Sequence, residues 1–163
     1  NPNIDMISCS YKPFVNNGMD LDQVNHPSDS AIIALLLSYC SPICHPAVFA
    51  KANVFKAHKY SENSPAEDHH LWCEIAKKYK ISNQDMVLLN YRKHDKQLTR
   101  RKRIKILLHK NICGLKFFAS NYKSFNEITY SRLQKQLKPC HTIRKFPAWF
   151  LLTLSKLLCL KII

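Results

Sequence analysis

An α/β fold that runs into an all-helical tail is what the sequence predicts, and three stretches carry that expectation. Residues 4–11 (IDMISCSY) alternate loosely between apolar and polar, as a strand does. Residues 86–91 (MVLLNY) form a compact apolar run of buried-strand length. Between them, Ser64-Pro65-Ala66-Glu67 has the form of a capping box with proline at the first helical position. The expected architecture is two to four short strands, a helix after each proline-marked turn, and helices only beyond residue 99. A chain of 163 residues, 46% apolar and 22% charged, can build one domain with a real core.

The elements follow in order. After the strand at 4–11, Asn16-Asn17-Gly18 supplies residues that tolerate positive φ, so a turn is expected there. His26-Pro27-Ser28 then opens a helix with Ser28 as N-cap, and the apolar run 31–37 continues to a stop before Pro42. Residues 43–55 are expected to hold a short strand and a short helical turn. In the helix after the capping box, Leu71, Trp72, Ile75, Ala76 and Tyr79 recur at helical spacing, and Lys77, Lys78 and Lys80 suit the negative end of its dipole. Residues 99–122 read as a long basic helix with Ile104, Leu107, Leu108, Ile112, Leu115 and Phe118 as its apolar positions, and 127–138 as a polar helix ended by Pro139. Residues 147–163 are mostly Leu, Ile and aromatic. With Lys156 and Lys161 inside about 17 residues, they suit an interfacial helix beside Lys138, Arg144 and Lys145 better than a membrane span.

Composition removes several function classes. Only two glycines occur, Gly18 and Gly114, so neither a G-x-G-x-x-G nor a Walker-type phosphate loop can be written, which excludes dinucleotide-binding and P-loop enzymes. Seven cysteines without a C-x-x-C pair rule out a zinc ribbon or a thioredoxin-like motif. Buried free thiols in a reducing cytosol fit them better than a Cys40/Cys44/His45 metal cluster. The net charge of +14 is concentrated: residues 1–90 sum to −2 and residues 91–163 to +16. The basic half therefore has its own partner, for which nucleic acid, an anionic membrane surface and a phosphorylated substrate are the candidates.

Three segments carry chemistry. Glu67-Asp68 stands at the mouth of a helix; Glu67 is accounted for by the capping box, but Asp68 lies one residue beyond it and is placed to take a proton from a substrate hydroxyl. Tyr91-Arg92-Lys93-His94 presents a guanidinium and an imidazole at a strand end, a pairing that suits a diphosphate or a divalent metal; a solvated basic strand end is the simpler account of the string by itself. His45, bracketed by Pro42 and Pro46, sits in a rigid turn, although a lone histidine is more often satisfied locally. Asp20-Leu21-Asp22 follows a turn and lacks a preceding buried strand, so it reads as surface acid rather than a metal-binding Asp-x-Asp.

Taken in order, the strings NPNIDMISC, HPSDSAIIALLLSYCSPICHPAVF, SPAEDHHLW and VLLNYRKHDKQLT resemble the C-terminal half of family-2 inverting glycosyltransferases of the GT-A fold. The resemblance covers about residues 1–100. It implies an incomplete GT-A-like (Rossmann-like nucleotide-diphospho-sugar transferase) acceptor-side half over residues 1–98, with residues 99–163 as a basic helical tail. It further implies that Asp68 is the catalytic base, that Glu67 orients the acceptor, and that Trp72 lines the acceptor side. On the same ground Arg92 neutralises the leaving diphosphate, His94 helps to hold a divalent metal (Mg or Mn), and His45 flanks the site.

The implied reaction transfers a sugar from a nucleotide-sugar donor to a hydroxyl on a glycan or lipid-linked acceptor, in cell-surface polysaccharide or lipid-linked glycan synthesis. The family's nucleotide-binding strands and Asp-x-Asp lie before the point that matches Asn1, a glycine-rich turn is replaced by His58-Lys59-Tyr60, and His70 stands where the family has a second aspartate. The expectation is a truncated chain, inactive alone, at the inner face of the cell membrane in the cytoplasm. The alternative is a non-catalytic basic protein that binds a membrane surface or nucleic acid. Of these, nucleic acid is disfavoured because Arg100-Arg101-Lys102-Arg103 comes with neither an RNA-binding aromatic signature nor a helix-turn-helix pattern.

Overall fold

Met6 and Ile81 begin two strands that run side by side in the same direction, and the rest of the α/β arrangement is laid around that pair. The computed structural model describes residues 3–15, 21–95, 97, 102–121, 125, 128 and 130–137. The turn at 16–18, Asp20, Arg100 and Arg101, Lys138, Arg144 and Lys145, and the apolar segment 147–163 lie outside the described residues. The elements are β1 (Met6–Val15), α1 (Ser30–Leu37), a 3-10 turn (His45–Ala47), β2 (Phe49–Ala50), α2 (Ala52–Ala57), α3 (Glu67–Ala76), β3 (Ile81–Lys93), α4 (Arg103–Asn121) and α5 (Tyr130–Leu137). The sheet is mixed, in the order β2-β1-β3, with β2 antiparallel and β3 parallel to β1.

Asp5 clips the start of the sheet together. Its backbone N–H and that of Met6 donate to the Lys80 carbonyl, its own carbonyl accepts the Lys51 N–H, and its carboxylate takes Lys51 Nζ at 2.9 Å and the Lys80 N–H at 3.0 Å. The Lys51 ammonium, with help from the Lys80 N–H, holds this carboxyl below the usual carboxylate range. One side chain thus gathers the entries to β1, α2 and β3.

α1 is apolar on nearly every side, and Ile32, Ile33, Leu35, Leu36 and Leu37 are all buried, as a helix in the middle of a core must be. Its N-cap is Asp29 and not Ser28: the Asp29 carboxylate accepts the N–H groups of Ala31 at 2.9 Å and Ile32 at 3.2 Å. A carboxylate is the better partner for the positive helix end, and here it also receives Arg132 of α5 in a two-pronged contact, Nε at 2.7 Å and Nη2 at 3.0 Å. Gln136 Oε1 accepts from the N–H of Ser28 at 2.9 Å and of Asp29 at 3.2 Å. The beginning of α1 is therefore what docks α5.

The capping box does not close as the sequence predicts. α3 starts at Glu67 with Ala66 as N-cap, and the Ser64 hydroxyl accepts the Ala66 N–H at 3.2 Å, a turn closed by a side chain ahead of the helix. The expected inward face holds, with Leu71, Trp72 and Ile75 buried. The lysines stand past the end: Lys77 is the C-cap and ion-pairs with Glu74 at 2.6 Å.

One further expectation needs correction. β3 is much longer than 86–91, and its buried residues, Ile81 and Asn83, lie at its start; Met86 (60% exposed) and Leu88 (62%) point outward while Val87, Leu89 and Tyr91 alternate with them on the half-covered face. Short apolar runs cannot distinguish a strand buried on two faces from one covered on a single face. In α4 most of the apolar positions are outside. Ile104, Leu107, Leu108, Ile112 and Leu115 are exposed, while Cys113, Gly114, Phe117 and Phe118 pack inward against α1 and α3.

Gly114 explains how closely α4 and α1 approach, since a Cβ there would fall 2.8 Å from the Ser38 carbonyl carbon and nearer still to its oxygen. The cysteines Cys9, Cys40, Cys44, Cys73 and Cys113 are free thiols, all buried except the half-buried Cys40; Cys140 and Cys159 lie outside the described residues. Among the described residues no helix is long and apolar enough to cross a membrane.

Candidate functional site

The turn that presents His45 is pinned from the central strand. Ser8 of β1 donates its hydroxyl to the Cys44 carbonyl at 3.0 Å and accepts the Cys44 N–H at 3.2 Å, and Asn83 of β3 donates to the Pro42 carbonyl at 3.0 Å. With Pro46 at the start of the 3-10 turn, the backbone has little freedom left and the imidazole projects outward, exposed. Its ring lies 5.6 Å from that of Trp72, edge-on, and its Nε2 is 2.8 Å from the Tyr60 hydroxyl.

Trp72 is fully buried beneath these two rings, so it does not line the acceptor side. The correction follows from the helix itself: the face of α3 that carries Leu71, Trp72 and Ile75 is the one turned to the core. Trp72 acts as the floor on which His45 and Tyr60 rest. Burial raises the Tyr60 hydroxyl above its ordinary pKa, and the charges of Asp68 and Glu67 raise it further. The phenol therefore keeps its hydrogen and has one to donate to the imidazole.

A cavity of about 410 Å³ opens beside this aromatic group. One wall is acidic, formed by Glu62, Glu67 and Asp68 with His45 at its margin. The opposite wall comes from α4 and the residue before it, and is basic: Lys102, Lys105 and Lys110 around Ile106. Among the described residues no ion pair joins the two walls. Asp68, in the first turn of α3, is half-buried, and its Oδ1 accepts the His69 N–H at 2.7 Å. The α4 wall is tied to the turn before α3, where the Ser64 hydroxyl meets His109 Nδ1 at 3.2 Å.

Asp68, Glu67 and His45 are thus brought together, and Arg92 and His94 are not. Arg92 is at the far end of β3, which pairs Phe14 with Arg92 and Val15 with Lys93, His94 follows directly after the strand, and neither lines the cavity. Gln97 holds that end, its Nε2 donating to the Arg92 carbonyl at 3.0 Å and its N–H to the His94 carbonyl at 3.3 Å. Among the described residues no group of three or more His, Cys, Asp or Glu side chains could hold a metal ion, and His94 lies apart from the cavity. Asp22 is exposed, as a surface acid should be.

The sequence pointed to none of the three lysines as site residues, nor to Glu62 or to Tyr60 as a partner of His45. The signal for the lysines was available: Lys102, Ile106, His109, Lys110 and Cys113 follow one another at helical steps and continue into the buried face of α4 at Phe117. Beside this site, burial pushes the Cys73 thiol up to about 12 and leaves the His69 imidazole at about 4, so neither offers a charged nucleophile or acid at neutral pH. The chain matches no family model, and no curated protein matches it.

Proposed function

We propose that the chain is the acceptor-side half of an inverting, family-2-like glycosyltransferase with a GT-A-type arrangement, and that Asp68 is its base. The observation that supports this most directly is that His45, from the 3-10 turn, and the neighbours Glu67 and Asp68, from the start of α3, line one open cavity. In the proposed step the Asp68 carboxylate takes the proton of an acceptor hydroxyl, and the oxygen attacks the anomeric carbon of a nucleotide-sugar from the side opposite its diphosphate. The bond from that carbon to the diphosphate oxygen breaks, its electron pair leaves with the nucleoside diphosphate, and the new glycosidic bond has inverted configuration. Glu67 and His45 orient the acceptor, a hydroxyl on a glycan or a lipid-linked saccharide.

The cations nearest to this step are Lys102, Lys105 and Lys110, so developing negative charge falls to them rather than to Arg92, and no step is assigned to a metal. The test is Asp68→Asn in the full-length natural polypeptide, assayed with labelled nucleotide-sugars. Transfer is expected to fall by about 10²–10⁴-fold, the usual worth of a general base, while nucleotide-sugar binding persists. Turnover that survives the substitution unchanged removes Asp68 from the role.

A further inference from the structure

α4 turns a second face to solvent, and apart from Asn111 that face is apolar. Ile104 (76% exposed), Leu107, Leu108, Ile112 and Leu115 are each more than half exposed, a concentration of large aliphatic side chains on one helix that a water-facing surface does not need. At 3.6 residues per turn these five fall within an arc of about 140°. The margins of the arc are cationic: Lys105 and Lys116 border it on one side and Arg103 on the other, all exposed. Residues 102–121 contain no acidic side chain. The inner face of the same helix is already used, by Cys113, Gly114, Phe117 and Phe118.

We propose that this face of α4 lies in the interface of an anionic lipid bilayer, with Ile104, Leu107, Leu108, Ile112 and Leu115 among the acyl chains and Arg103, Lys105 and Lys116 at the headgroups. Two properties select this occupant. An apolar stripe gains nothing from a phosphate backbone, so a nucleic acid would use the lysines and leave the leucines in water. A neutral bilayer or an apolar protein surface would use the leucines and leave the flanking cations without partners; an anionic bilayer satisfies both. No spanning segment is required, because the helix lies along the surface. Lys105 borders the stripe and also lines the cavity, so a bilayer docked on α4 would adjoin the mouth of the site.

The experiment is flotation of the whole chain with phosphatidylcholine vesicles, with and without phosphatidylglycerol, at low and high salt. Binding is expected to vesicles that contain phosphatidylglycerol and to weaken with salt. Leu108→Glu combined with Ile112→Glu, at exposed positions where the fold loses nothing, is expected to lower partitioning at least about tenfold with an unchanged thermal melt. Arg103→Glu combined with Lys116→Glu should weaken the preference for phosphatidylglycerol. Flotation untouched by the Leu108/Ile112 pair would overturn the assignment and move the anchor elsewhere in the chain. Absence of flotation at low salt would also overturn it, as would a wild-type chain that self-associates in sedimentation and is made monomeric by the same pair. Tight binding of a labelled RNA, lost with the Arg103/Lys116 pair and untouched by the Leu108/Ile112 pair, would assign the face to nucleic acid instead.

Discussion

The carbonyl of Ser38, at the end of α1, occupies the space where a side chain on Gly114 would begin. This is a backbone-to-backbone contact between two helices, and neither partner can rotate away from an added methyl group. Gly114→Ala is expected to destabilise the fold by about 1–3 kcal/mol through overpacking, although alanine favours helix over glycine when space is free. Urea denaturation followed by the Trp fluorescence change checks it, and a stabilised variant would show that α4 is not seated as described.

Asp29 carries two separable duties, capping α1 and receiving Arg132. Asp29→Asn keeps an oxygen for the cap and loses the ion pair, whereas Asp29→Ala loses both. The alanine variant is expected to cost about 1–2 kcal/mol, the usual worth of an N-cap, and the asparagine variant under about 1 kcal/mol, because Arg132 is exposed and its pair is screened. Equal losses in the two variants would show that the charge, and not the cap, dominates.

Stability should depend on acid through two buried imidazoles. Desolvation lowers His26 and His69 from 6.5 to about 4, so over that window the unfolded chain binds protons that the folded chain refuses. Stability from these groups is complete above pH 6.5 and is lost as the pH falls toward 4, on the order of 3 kcal/mol for each. Urea melts stepped down through that window measure the slope, and His69→Gln should flatten it by about half.

The contact between His45 and Tyr60 can be isolated by a double-mutant cycle with His45→Ala and Tyr60→Phe. Phenylalanine keeps the ring against Trp72 and removes only the hydroxyl. A coupling of about 0.5–1 kcal/mol is expected for a hydrogen bond between exposed groups. A coupling of zero would mean that the imidazole is held by its turn alone.

Much of the local structure was legible because it depends on neighbours in sequence. Proline-marked turns, the end of α1 before Pro42, and the inward face of α3 at Leu71, Trp72 and Ile75 all follow from short-range rules. Expectations failed where a distant residue decides. Asp29 displaces Ser28 as cap partly because Arg132 and Gln136 arrive there, and no local pattern announces them. Met86 and Leu88 are outward because the face of β3 that carries them is left open among the described residues, and periodicity does not report how many layers a sheet receives.

The site shows the same division. Asp68 and Glu67 are neighbours on one turn and were found together, and His45 joined them through a recognisable rigid turn. The lysine wall was missed because a run of cations reads as a solvated face, and its position depends on Ser64 and His109 meeting across two elements. In the sequence Tyr60 is only one residue of a turn; its value lies in the phenol's reach to His45.

β3 has a partner along one side only, since the order β2-β1-β3 places it at the margin of the sheet over thirteen residues, among the described residues. Its start is covered, since Ile81 and Asn83 are buried and Ser30 donates to the Ile81 carbonyl, but past Gln84 the margin opens to another strand among the described residues, and Met86 and Leu88 would give such a newcomer apolar side chains to rest on. Asp85, Arg92 and Lys93 place charges along the same ribbon and discourage stacking of like copies. A chain with this margin should be most soluble at low salt, where those charges repel unscreened, and most prone to forming extended cross-strand assemblies when salt shields them.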